Sequence, residues 1–140
     1  MRLLQAAALL LGATACHHAR AADVQVRVLN VRTNLGTVRA EICRADEWLK
    51  DGCRHKAAAP ATAGITAITL NNVEPGTWAV VVFHDKNNDG DVDLNLLGVP
   101  TEGIGFSRDP PLGLKGPSFN SAALVIGEQG AVMDIHLRFE

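Results

Sequence analysis

The chain has 140 residues, 47% of them hydrophobic, 20% charged and 4% aromatic. That length suits one domain, since two would leave each too little interior, and the hydrophobic share excludes wholesale disorder. A formal net charge of -2 and a pI near 6.2 leave no basic footprint, so nucleic acid is not an expected partner.

The first residues read as an export signal. Arg2 is a short positive region, and Leu3 to Ala15 form an apolar run of h-region length, too short to span a bilayer. Ala19-Arg20-Ala21 offers an A-x-A cleavage site, so a cut after Ala21 is expected, with residues 22–140 as one domain. A rival reading uses Ala13-Thr14-Ala15-Cys16, which is similar to a lipobox except that Ala13 replaces the usual large aliphatic residue. Cys16 would then carry a lipid anchor. Beyond residue 21 no apolar run reaches transmembrane length. The expected location is periplasmic or secreted, with lipid anchoring through Cys16 as the alternative.

Val24, Val26 and Val28 alternate with Gln25 and Arg27, the period of a half-buried strand. Asn34-Leu35-Gly36 is a turn, and Val38, Ala40 and Ile42 alternate again, so the two runs read as a hairpin. The predicted cut removes Cys16 and leaves Cys43 and Cys53, an even count in an oxidising compartment, which reads as a disulfide. A redox or metal pair is the alternative, but C-x-x-C spacing is absent. Ala45 to Lys50 is expected to make a helical turn, and residues 57–64 a connector. Ile65 to Leu70 is a short β-branched strand, followed by a turn over residues 71–76.

Thr77 to His84 is the most hydrophobic stretch and reads as a central strand buried on both faces. Residues 85–120, rich in Gly and Pro, form a long excursion with at most short strands. Ala122 to Ile126, a turn at Gly127 to Gly130, and the alternation of Met133, Ile135, Leu137 and Phe139 predict a second hairpin. No helical period is sustained, so the expected fold is all-β, an antiparallel β-sandwich of about seven strands.

The chemistry concentrates in the excursion. Asp85, Asn87, Asp89, Asp91 and Asp93 place oxygens at alternate positions with Gly90 at the sixth, the first half of an EF-hand loop. Hard oxygen donors suit Ca²⁺, and it is the one cofactor the sequence suggests. The twelfth position is Leu96 rather than Glu, which excludes a complete EF-hand. The alternative is a solvated polar turn whose Asn, Asp and Gly serve geometry. His84 adjoins the loop, while His55 and His136 read as surface residues. None of Ser107, Ser118 and Ser121 lies in a G-x-S-x-G elbow.

Phe83-His84-Asp85, the Asn/Asp/Gly loop, Leu97-Gly98-Val99-Pro100-Thr101-Glu102-Gly103-Ile104-Gly105-Phe106-Ser107, and Gly116-Pro117-Ser118-Phe119 with Ala122 resemble the DUF2141 family of exported bacterial proteins. The resemblance spans essentially the whole chain after the leader. It implies export and a β-sandwich of immunoglobulin-like or prealbumin-like type, and it supplies no reaction. Ile104 stands where the resemblance leads one to expect an aromatic residue.

Gly98, Gly103 and Gly105 are expected to allow positive φ or close backbone approach, holding Glu102 near the acidic loop. One reading makes His84, Glu102, Phe106 and Phe119 a ligand face; the other has the Phe residues plugging the sandwich end. The leading expectation is a non-enzymatic exported module that binds an envelope component or small ligand, with a weak Ca²⁺ site in residues 85–93. Its rivals are a small hydrolase using His84, Asp85 and Glu102, and a carrier holding an apolar ligand in an internal cavity. Convergence of His84, Asp85 and Glu102 in one concavity would distinguish the hydrolase.

Overall fold

The computed structural model describes residues 15–139. Over the described residues the chain is nearly all β, with eight strands in two facing sheets. Strand β1 (Ala22–Val31) lies between β4 (Gly64–Val73), antiparallel, and β8 (Ala131–His136), parallel. The second sheet has the order β3 (His55–Pro60), β2 (Thr37–Cys43), β5 (Gly76–Asp85) and β6 (Ile104–Phe106), and β7 (Leu124–Ile126) also pairs with β5.

The alternation read from the sequence sets the inner faces. Val24, Val26 and Val28 of β1 are fully buried against Val38, Ala40 and Ile42 of β2 and Trp78, Val80 and Val82 of β5. Strand β5 is buried on both faces, as its apolar run predicts. Its outer residues Ala79 and Val81 join a second apolar cluster with Trp48, Phe106, Ala122 and the Cys43–Cys53 disulfide. The excursion therefore folds back over the sheet as a second, smaller core.

Both predicted hairpins are corrected. Strands β1 and β2 lie in different sheets, and so do β7 and β8. Each turn reverses the chain, yet each strand after it pairs elsewhere. Between β1 and β2 the crossing passes close to the end of β5. A Cβ on Gly36 (φ 71°) would collide with the Asp85 carbonyl oxygen and the Lys86 backbone, so glycine is required there for space as well as conformation.

Four local expectations also change. Residues 55–60, which overlap the expected connector at 57–64, form edge strand β3, with Ala57 and Ala59 packed on the core and Pro60 at its end. Alanine carries little strand signal, and an edge tolerates the proline. Ala45 to Lys50 makes two successive turns, Glu47 N–H to Arg44 O and Lys50 N–H to Glu47 O, in place of the single helical turn expected. Strand β4 runs on to Val73 because Asn72 adopts a left-handed φ of 55°, where its pairing with β1 is irregular. A four-residue helix, α1 (Phe119–Ala122), capped by the Ser118 side chain, takes the start of the expected last hairpin.

The expected apolar leader lies outside the described residues up to residue 14; residues 15–21 have no regular structure, and β1 begins at Ala22. Among the described residues no helix is long and apolar enough to cross a membrane.

Candidate ligand groove and acidic loop

The end of β5 sets out the acidic loop. By strand alternation His84 shares the inner side with Val82, and Asp85 the outer side with Arg39. The Asp85 carboxylate is fully buried. Its Oδ2 accepts Arg39 Nε at 2.7 Å and Gly90 N–H at 3.0 Å, and its Oδ1 accepts Asp89 N–H at 3.2 Å. Burial alone would raise its pKa. The Arg39 guanidinium and the Gly90 and Asp89 amides outweigh that cost and hold the carboxyl below its usual range.

The remaining loop oxygens are arranged around Asn87. Its Nδ2 donates to Asp89 Oδ2 at 3.0 Å and to Asp93 Oδ2 at 2.9 Å, and its Oδ1 accepts Asp89 N–H at 3.3 Å. Asp89 Oδ1 accepts Asp91 N–H at 3.0 Å. The Asn87 amide thus sits between two carboxylates. Glu102 reaches the loop from a separate segment and is itself buried. Its Oε1 accepts Lys86 N–H at 2.8 Å and its Oε2 accepts Asp93 N–H at 3.4 Å. Close approach by Gly103 makes this placement workable, because a Cβ there would enter the Phe139 ring. Gly105 is likewise held against the His136 carbonyl, and Gly98 takes a φ of 76°.

His84, Asp85 and Glu102 line no described concavity. His84 is fully buried, with Nε2 2.7 Å from the Leu35 carbonyl and Nδ1 without a protein partner. Of the four residues expected to form a ligand face, only Phe106 lines a groove. Phe119 packs edge-on against Trp48, as Phe106 does, at centroid separations of 6.2 and 5.8 Å. The Trp48 indole donates to Pro117 O at 2.8 Å. His136 is exposed as expected. His55, expected at the surface, is instead half-buried beside Trp78 and bonded to Glu74 at 3.1 Å.

The disulfide expected from the cysteine count is present between Cys43 and Cys53. Glu41 lies within 4.8 Å of both sulfurs, but their bond to each other removes them as metal ligands.

The groove itself escaped the sequence reading. Ile104 and Phe106 of the sheet, Val92 to Pro100 on one limb of the excursion, and Leu112 to Gly116 on the other enclose about 660 Å³. The limb at residues 92–100 is a small closed loop, tied by Thr101 N–H to Asp93 O at 2.8 Å and by a Leu94–Pro100 bridge. The acidic loop and one groove wall are therefore one continuous structure. Leucines in a polar, glycine-rich segment are the signal of it in the sequence.

Neither the curated proteins nor the solved structures give a match. Residues 26–134 match the family described as an uncharacterized protein conserved in bacteria, and the chain belongs to that family, DUF2141.

Proposed function

We propose that this chain is an exported β-sandwich module that binds rather than catalyses, and that its ligand lies in the groove beside β6. The observation that carries this reading is the groove, with Leu97 and Leu114 on its two limbs 86% and 103% exposed. Apolar side chains gathered at the surface of a folded domain mark contact sites, since covering each is worth ~1.5–3 kcal/mol. The groove volume falls within the range of small-molecule sites. It takes the place of the internal cavity that a carrier would need. The hydrolase reading has less support, because His84, Asp85 and Glu102 are buried and bonded within the fold.

Export is part of the proposal. The A-x-A site, the disulfide and a first strand that begins just after Ala21 support it. A weak Ca²⁺ site in the acidic loop is also part of the proposal. There, Asp89, Asp93 and a rotated Asn87 amide would supply oxygens, and Glu102 would stand in for the carboxylate that Leu96 does not provide. A cation would then brace the groove wall that follows Asp91.

Nile red, a neutral solvatochromic dye, tests the groove. The native protein is expected to bind it saturably, and Leu97→Asp combined with Leu114→Asp to abolish binding while the urea midpoint stays unchanged. No saturable binding, or binding unaffected by the two substitutions, refutes the reading.

A further inference from the structure

We infer that the groove takes a long-chain carboxylate, a single-tailed anionic amphiphile, with its tail along the leucine-lined limbs and its head at Lys115. The inference rests on the groove being a binding site and adds the class of ligand.

The charge of the lining is the evidence. The chain has more acidic than basic residues and a net charge of -2, yet the groove is lined by two basic residues, Lys115 and Arg138, and by no Asp or Glu. The two bases differ. The Arg138 guanidinium donates to Pro110 O and Asp109 O, each at 3.0 Å, and pairs with the Asp109 carboxylate, so its charge is already met. Lys115 makes no ion pair or side-chain hydrogen bond among the described residues, and it lies exposed beside Leu114. An apolar trough with one uncommitted ammonium complements a ligand with an apolar body and a single negative head. A cationic amphiphile would meet repulsion there, and a neutral one would leave the ammonium without a partner.

Dodecanoate below its micellar concentration is the probe, read by displacement of Nile red and by calorimetry on the disulfide-bonded protein. One dodecanoate per chain is expected to displace the dye. Dodecyltrimethylammonium, with the same tail and opposite charge, is expected to compete more weakly. Lys115→Gln should weaken dodecanoate about two- to fivefold, the scale of one exposed ion pair, and leave Nile red affinity unchanged. Dye binding without displacement by dodecanoate overturns the inference and leaves the groove reading standing; absence of both overturns both. Equal competition by the cation, or an unaltered dodecanoate affinity in Lys115→Gln, also overturns it. Co-sedimentation with phosphatidylglycerol vesicles while monomeric dodecanoate is ignored overturns it in favour of a membrane surface.

Discussion

Asp85→Asn removes one charge from the root of the acidic loop and changes almost nothing in shape. The wild-type carboxylate accepts three hydrogen bonds, from Arg39, Gly90 and Asp89. Bonds to a charged group are worth ~1.5–3 kcal/mol each, and breaking a buried ion pair costs ~3–5 kcal/mol. Arg39 is 33% exposed, so water recovers part of its loss. A net destabilisation of ~3 kcal/mol follows, or roughly 10 °C in Tm for a domain of this size. Urea denaturation followed by Trp48 and Trp78 fluorescence measures it, and a cycle with Arg39→Met should return a coupling of ~1–2 kcal/mol. The pH dependence supplies a second check. The folded pKa of Asp85 is depressed, so its contribution is complete above the unfolded value of ~3.9 and is lost as pH falls through the folded value. The gap between wild type and Asp85→Asn should be constant from pH 7 to 5 and narrow as pH falls below about 4. A loss below ~1 kcal/mol at neutral pH, or a gap unchanged at pH 3, refutes the account.

Three further outcomes are expected. Cys43 and Cys53 are ten residues apart, so replacing both with Ala should cost ~2–3 kcal/mol on the chain-entropy estimate; intact mass of the exported wild type should show both a start at Ala22 and no free thiol, whereas a diacylated species starting at Cys16 would make it a lipoprotein. Millimolar Ca²⁺ should raise Tm through binding in the ~10⁻⁴–10⁻³ M class, adding about 1 kcal/mol, and Asp89→Ala should remove most of the gain; identical melts in Ca²⁺ and chelator would leave a polar turn as the better description.

Burial was more legible in the sequence than pairing. The alternation at Val24, Val26 and Val28 predicts which face of β1 goes inward, and the run from Trp78 to Phe83 predicts a strand covered on both sides. Periodicity carries no information about the neighbour, and sequence adjacency suggests the wrong one at both turns, because this sandwich alternates its sheets there. The site shows the same division. The spacing of Asp85, Asn87 and Asp89 marks a loop organised by oxygens, but the partner of Asp85 is Arg39, 46 residues earlier and on another strand. Glu102 was legible as a neighbour of the loop. The groove was not, since its walls come from three segments whose leucines show no common period.

Strand β1 pairs in parallel with β8, joining Val24 to Ala131 and Leu29 to His136 across nearly the whole chain. Strand β1 must therefore wait for β8 before its second edge is covered. Strand β5 waits too, because β6 and β7 share its far edge and Ser107 fills the gap between them, its hydroxyl accepting Val80 N–H at 2.9 Å and donating to Ala122 O at 2.6 Å. Contacts so distant in sequence place folding in the slow class, about milliseconds to seconds. The sandwich thus closes only once its C-terminal quarter is in place. Until then β1 and β5 are the segments whose apolar edges need shielding.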